Sequence, residues 1–495
     1  DPALMETILV TWLSKVKRGK IMRVKKNKTR DFVLLMSVWA MATNGLWAQR
    51  ESLDKFQTSL KQESTMQAVE LDLQEILAKA IENNINLQIA KSNSQEAKWK
   101  YWERISDALP DVELNATKRN RDGTFFLNTN FQNGIDETTS TAGVRLNYRA
   151  FNGGTTSFLA WAEKFYRKSS QNLEQAEYNK LIYDSIRLYY ELIKAQVALN
   201  SNEKALKNAE SNHDLAKKFF NAGTGTKFDL VQAEARVARK EQELIEQIAE
   251  FRKAGIELAN HINAPLETSY KTAVKEIAKL ELIEENISAK DFLDTAFKQN
   301  PSIKSAMQLR EGALKEGLAK AGDYLPKVDV YAEMAGTGET WDNMFGLTTL
   351  GFEARYDIGD GLGLTAVADT MQSRAKVKRA KLEYQKELQG IERSLRLSFL
   401  DFHKSKSIVK AAQKEQEAST EALRLAKLRY ENGIDVFARL IEKESELTAA
   451  ELNLITSVAD YNLTQAKLAY DMGTISSAAL QKQLGSERSN LKASN

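Results

Sequence analysis

The chain has 495 residues, 70 Lys and Arg against 67 Asp and Glu, and no cysteine. The missing cysteines exclude disulfides, thiolate metal sites and a lipid-bearing N-terminal cysteine on a processed chain. Residues 1–48 hold nine of the basic and three of the acidic side chains, leaving 61 against 64 beyond them, so the body of the chain is not basic and lacks the electrostatic footprint of a nucleic-acid binder.

Five prolines, Pro2, Pro110, Pro265, Pro301 and Pro326, leave 111–264 and 327–495 without one, which permits helices of unusual length. Residues 1–21 precede Met22 and read as an extension outside the fold. Residues 22–48 pass from a basic stretch (Arg23, Lys25, Lys26, Lys28, Arg30) through apolar Phe32 to Ala42 to a small residue at Ala48. That is the layout of a secretory signal peptide cleaved after Ala48, its apolar part being shorter than the ~20 residues of a membrane span. Residues 49–70 form a polar N-terminal segment of the mature chain.

A first repeat is expected over 71–265. Leu73 to Ser106 reads as one helix, with Leu77, Ile81, Ile85, Leu87 and Ile89 gathered by helical spacing, and it stops at Leu109-Pro110. The period then changes to two: Val112, Leu114 and Ala116 alternate with Glu113, Asn115 and Thr117. After a polar loop containing Asn133-Gly134, Val144, Leu146, Tyr148 and Ala150 alternate with Arg145, Asn147 and Arg149, completing a hairpin. Gly153-Gly154 closes it, and Ser157 to Ala222 is free of helix breakers. A helix of that length must lie along others in coiled-coil fashion, and Leu181, Ile182, Ile186, Leu188, Leu192 and Ile193 are spaced for the seam. Gly223 stops it, and a return helix is expected from about Phe228 to Ile262.

A mixed linker, 266–290, leads to a second repeat over 291–475, followed by a polar tail at 476–495. Ala80 to Val112 aligns without gaps on Ala296 to Val328, pairing Asn84 with Asn300 and Leu109-Pro110 with Leu325-Pro326. Pro301 sits where a first-turn proline is tolerated. Val328, Val330, Ala332 and Met334 alternate with Asp329, Tyr331 and Glu333, and Phe352, Ala354, Tyr356 and Ile358 alternate with Glu353, Arg355 and Asp357. Leu215 to Leu244, LAKKFFNAGTGTKFDLVQAEARVARKEQEL, returns without a gap as Leu425 to Leu454, LAKLRYENGIDVFARLIEKESELTAAELNL. The molecule is internally duplicated, and each copy of this stretch turns one helix into another around Gly223 or Gly433.

The strands constrain function more than the helices do. Each has one apolar and one charged face, and two hairpins supply four strands. A covering helix would satisfy such a sheet, but the flanking helices have no spare apolar face and a secretion signal precedes the strands. The expectation is therefore a transmembrane barrel, which needs closure and about eight strands or more, so that several copies share it.

These residues resemble the TolC-like outer membrane efflux proteins. The marks are Leu109-Pro110 and Leu325-Pro326 before a strand, Phe151-Asn152-Gly153-Gly154 and Ile358-Gly359-Asp360-Gly361 after a hairpin, and the two glycine turns with their leucine- and alanine-rich return helices. The likeness covers about residues 70–475 and occurs twice in order. It implies a mainly α fold with a transmembrane β part: duplicated helical hairpins forming an α-barrel, and four strands per chain contributing to a twelve-stranded barrel in a homotrimer. It further implies an outer-membrane exit duct with its helical part in the periplasm, docked to a periplasmic adaptor and an inner-membrane pump in a tripartite efflux or type I secretion system. It implies a periplasmic gate as well, for which the candidates are Phe220, Gly223, Lys227, Asp229, Tyr430, Gly433, Asp435 and Arg439. Asp229 matches the family's aspartate after the glycine, where the second half carries Arg439; Tyr430 matches its tyrosine, where the first half carries Phe220. Ion pairing of Asp229 with Arg439 around the closed aperture is one hypothesis, solvated surface charge the other. Within the barrel, Pro110 and Pro326 start strands, and Glu113, Arg145, Arg149, Asp329, Glu333, Glu353, Arg355 and Asp357 are expected to face the lumen, with lipid outside.

No enzyme, cofactor or metal site is expected. His213, His261 and His403 have no ligand-spaced neighbours and read as packing or surface residues, Gly359 to Gly363 lacks the lysine of a phosphate loop, and Trp99, Tyr101 and Trp102 read as inter-helix packing. The other function class weighed is a periplasmic coiled-coil adaptor or scaffold without a barrel, against which the paired amphipathic strands and the complete duplication argue.

Overall fold

The computed structural model of the chain describes residues 69–126, 132–223, 225–272, 277, 279–283, 289–356, 364–432, 434 and 437–476. The extension, the signal segment and nearly all of 49–70 and 476–495 lie outside them. The described residues divide into two compact units, one from Val197–Lys253 with Glu267–Tyr270, the other from Glu70–Gln196, Ala254–Leu266 and the chain from Lys271 onward.

Along the chain the order is β1 (Val69–Glu70), α1 (Leu73–Asn83), α2 (Ile85–Ser106), β2 (Asp111–Phe126), β3 (Gln132–Asn152), α3 (Thr155–Asn221), α4 (Lys227–His261), β4 (Tyr270–Lys271), α5 (Ala289–Gln299), α6 (Pro301–Gly322), β5 (Lys327–Gly338), β6 (Phe345–Arg355), α7 (Leu364–Glu431) and α8 (Phe437–Met472). Both repeats thus have one plan: two short helices, a hairpin, a very long helix and a return helix.

The expected single helix from Leu73 to Ser106 is two helices, because Asn84 is extended (φ −65°, ψ 123°) and interrupts the ladder. Its Oδ1 accepts the Leu87 N–H at 3.1 Å, capping α2, and its Nδ2 donates to the His261 carbonyl at the end of α4 (2.9 Å). Asn300 does the same in the second repeat: extended at φ −59°, ψ 121°, it caps α6 through Ser302 N (2.9 Å) and Ile303 N (3.3 Å) and donates to the Asp471 carbonyl (2.9 Å). One short side chain therefore starts a helix and ties it to the return helix of its own repeat. Return helices α4 and α8 also end alike, on left-handed residues, Asn263 (φ 52°) and Gly473 (φ 76°), with 6→1 bonds Ala264 N to Ala259 O and Thr474 N to Ala469 O.

The core of the second unit gathers Phe292 and Ala296 of α5, Leu395, Phe402 and Val409 of α7, and Val458, Tyr461, Leu468 and Met472 of α8. The linker joins it by an unusual device. Asn462 and Gln465, both fully buried on α8, pair with linker backbone: Leu280 N to Asn462 Oδ1 (2.8 Å), Gln465 Nε2 to Leu280 O (2.6 Å) and Leu282 N to Gln465 Oε1 (3.0 Å). Side-chain amides thus satisfy backbone groups of an irregular segment.

The histidines sit in packing and surface positions. His261 is buried with Nε2 2.8 Å from Ser185 Oγ, and burial lowers its pKa below the usual imidazole value. His403 packs edge-on to Phe399 and Phe402, and His213 lies 3.6 Å from Asp214.

Asn300→Ala removes both a helix cap and a buried tie, and is expected to cost about 1–3 kcal/mol, seen as a lower thermal unfolding midpoint. Asn300→Asp, which keeps the cap acceptor and loses the Nδ2 donor, is expected to recover part of that loss.

Candidate functional site

Strands β2, β3, β5 and β6 form one antiparallel sheet in that order, so the two hairpins are joined by β3 against β5. Sequence alternation marked only the end of the first hairpin next to the helices. Its strands run on to a register of Phe126 with Gln132, and Asn133-Gly134, expected in a loop, lie within β3 opposite Phe125 and Thr124. Pro110 and Pro326 stand immediately before β2 and β5, where a missing N–H costs no ladder bond. Gly153 (φ +68°) closes the first hairpin for a reason the sequence does not carry: its backbone packs on that of Gly322, and a Cβ on either residue would collide with the other chain segment. Thr155 Oγ1 to Ala319 O (3.1 Å), Tyr166 Oη to Glu316 Oε2 (2.8 Å) and Ser169 Oγ to Ser305 Oγ (2.7 Å) continue this junction between α3 and α6.

Register sorts the side chains into two faces. Val112, Leu146, Ala332 and Leu350 form one row across the sheet, and Leu114, Val144 and Met334 part of the next, with Tyr148, Val330 and Phe352 on the other side. This apolar face is open: Leu114, Leu350 and Phe352 are 76%, 78% and 76% exposed. An apolar surface of this extent marks a contact with something other than water. The opposite face carries the charges. Glu113, Arg145 and Glu333 share one row, and Arg149, Asp329 and Glu353 another. Asp329 lies between Arg149 (3.4 Å) and Arg355 (3.2 Å), Arg355 also meets Glu353 (3.3 Å), and Arg145 donates to Asn147 (3.0 Å) while its guanidinium covers the Tyr331 ring. Exposed pairs like these add under about 1 kcal/mol each, so they make a wetted face rather than a core. Asp357 lies outside the described residues. Among the described residues β2 and β6 each have a sheet neighbour on one side only, which leaves two rows of backbone groups at the edges.

The helix turns differ in detail. At the first, Gly223 (φ +76°) donates to Phe220 O (3.1 Å) and Gly225 N to Phe219 O (2.9 Å). Thr226 and Asp229 then form a reciprocal cap on α4: Asp229 N donates to Thr226 Oγ1 (3.1 Å), and Thr226 Oγ1 (2.6 Å) and N (3.4 Å) donate to Asp229 Oδ2. Lys227 is exposed beside it, Phe220 is partly exposed and Phe228 is 74% exposed. At the second turn, Asn432 N to Leu428 O (3.1 Å) and Ile434 N to Arg429 O (2.9 Å) end α7, and Arg439 is exposed on the first turn of α8. Gly433, Asp435 and the side chain of Tyr430 lie outside the described residues. Sequence reasoning did not find the Thr226 cap, although the T-x-x-D spacing was its signal. Trp99 and Trp102, expected between helices, are exposed, while Tyr101 packs under Arg167.

Long helical hairpins carried on an open amphipathic sheet are the fold of outer-membrane channels. The CmeC outer membrane channel of Campylobacter jejuni superposes with a TM-score of 0.73 at 16% identity, over 81% of this chain and 85% of that one. The open state of the MtrE outer membrane channel of Neisseria gonorrhoeae does so with a TM-score of 0.65 at 18% identity, over 82% and 91%. Nodulation protein T of Rhizobium leguminosarum bv. trifolii is 24% identical over 336 residues, 64% of this chain and 70% of that protein. The sequence model of the outer membrane efflux protein family matches residues 76–264 and 292–474, and the chain belongs to that family. Its place is accordingly the outer membrane and its work transport; the family and the solved neighbours are channels, not enzymes.

Thr226→Ala removes the hydroxyl that caps α4 and is expected to raise the amide exchange rate over 227–230 severalfold, matching a local loss of about 1 kcal/mol. Asp229→Asn, which still offers an acceptor to Thr226, is expected to change it less.

Proposed function

We propose that this protein is the exit duct of a tripartite efflux or type I secretion system, a passive trans-periplasmic channel working as a homotrimer. Four strands from each copy close a twelve-stranded barrel in the outer membrane, with the apolar face toward lipid and Glu113, Arg145, Arg149, Asp329, Glu333, Glu353, Arg355 and Asp357 toward the lumen. The helical hairpins form an α-barrel in the periplasm, and their turns are opened by a periplasmic adaptor and an inner-membrane pump.

The observation that carries this reading is the sheet itself, apolar and open on one face, charged on the other, and, among the described residues, unpaired at both edges. In hydrocarbon every backbone group must be satisfied within protein, so an open sheet has to close on further strands. Two copies would give eight strands, whose interior side chains fill; three give twelve and leave room for a lumen. At the periplasmic end, residues beyond the two helix turns hold the duct closed at rest, Asp229 among them.

Leu350→Arg places a charge on the lipid side, which costs about 2–4 kcal/mol at mid-membrane depth. The expected outcome is loss of the heat-modifiable oligomer from the outer-membrane fraction, with wild type retaining it. Recovery of wild type in the soluble periplasmic fraction, with no such oligomer on a gel, would sink the duct reading.

For the closed end, Asp229→Arg is expected to raise single-channel conductance in planar bilayers. Asp229→Asn should do so to a lesser degree, because it keeps the Thr226 cap acceptor and removes only the charge. Conductance unchanged in both variants would remove Asp229 from the gate.

A further inference from the structure

Asp471, in the last turn of α8, is only 2% exposed, yet its carboxylate is where several elements meet. Oδ2 accepts from Ser394 Oγ (2.9 Å) and Ser398 Oγ (2.5 Å) on α7, and Oδ1 accepts from Lys467 Nζ (2.8 Å) one turn earlier on α8. The Asp471 carbonyl takes the Asn300 amide hydrogen at 2.9 Å, which adds α6. Lys467 lies over the rings of Tyr470 and Tyr183, 4.8 and 5.5 Å from their centroids, and those rings stack at 5.3 Å, which adds α3. A buried carboxylate with three donors, one of them charged, is a strong tie, because breaking it strands a charge away from water.

Among the described residues, the equivalent position of the first repeat carries no such tie. In the gap-free register that sets Leu215 on Leu425, His261 falls on Asp471. The His261 carbonyl takes the Asn84 amide hydrogen (2.9 Å) and its ring meets Ser185 Oγ (2.8 Å). Burial lowers the imidazole pKa, with Asp184 and Arg187 also acting on the ring. Equivalent positions thus hold an imidazole with one serine partner in the first repeat and a carboxylate with two serines and a lysine in the second.

We infer that Asp471 is the fulcrum of the α7 and α8 pair: a positioning residue that fixes the C-terminal end of α8, so that displacement at its N-terminal end becomes rotation about this joint. Over the 36 residues of α8, at ~1.5 Å per residue, the far end lies roughly 50 Å from the lock, and a turn of about 5° moves it by about 4 Å. The inference rests on the proposed reading that the helix turns gate the channel. Without the lock the far end loses its reference, and the resting state leaks.

The test is single-channel recording of the reconstituted full chain without adaptor. Asp471→Asn, close in shape but uncharged, is expected to raise the resting open probability at least threefold while the heat-modifiable oligomer persists. Asp471→Glu restores the charge and is expected to return part of the way. Glu392→Gln, which removes from the same α7 helix a half-buried charge paired, among the described residues, only with Arg396, is expected to leave recordings at the wild-type level. If Asp471→Asn fails to assemble, Ser398→Ala removes a single donor and is expected to give a smaller rise. An assembled Asp471→Asn channel, or failing that an assembled Ser398→Ala channel, indistinguishable from wild type overturns the fulcrum alone. A wild type that forms no channel overturns the duct reading and the fulcrum with it.

Discussion

A strand edge is a row of N–H and C=O groups, and where those groups find partners decides most of what this chain can be. In water an edge can stay solvated; in hydrocarbon each unpaired group costs several kcal/mol. The sheet of β2, β3, β5 and β6 has two such edges and exposes Leu114, Leu350 and Phe352 on one face. Neither feature suits a lone soluble domain. Both suit the proposed closed wall, its remaining strands supplied by other copies of the same chain, and on that proposal each hairpin is connected on one side of the membrane to chain that can lie in water.

The helices meet a comparable requirement at the two joints. A helix start leaves N–H groups without partners, and Asn84 and Asn300 satisfy them while reaching across to the carbonyls of His261 and Asp471. Using one side chain for both tasks ties the short helices to the return helices with little added bulk. Duplication then allowed divergence: the residue that presents the carbonyl carries an imidazole in one repeat and a carboxylate in the other, with Ser185 facing the first and Ser394, Ser398 and Lys467 the second. The backbone scheme is preserved while the electrostatics are not.

At the first helix turn, the local cap and the proposed gating role call on the same atoms. Asp229 is engaged with Thr226 in the cap of α4, so a contribution to the closed state has to coexist with that bond or displace it. A carboxylate has capacity for both, since it can accept several hydrogen bonds and carries charge at a helix N-terminus, where negative charge is favoured. This is a different starting point from a solvated aspartate waiting for a counter-ion.

Much of the plan was legible in the chain because it depends on short-range periodicity. The change from helical spacing to alternation at Pro110 and Pro326, the glycine turns and the gap-free duplication are local signals, and the structure places strands, long helices and return helices where they point. What alternation could not reveal was the length of the first hairpin, because residues 117–126 and 132–139 pair through backbone without an apolar period. Nor could it reveal the break at Asn84, since the apolar side of the expected helix runs through that position. The roles of Asn300, Asp471, Gly153 and Gly322 were beyond it for one physical reason. Each depends on a partner 73 or more residues away. A sequence read along its length determines which elements form and in what order; only the tertiary structure decides which side chain closes a joint, because that is set by distances in space between segments whose spacing in the chain carries no trace of it.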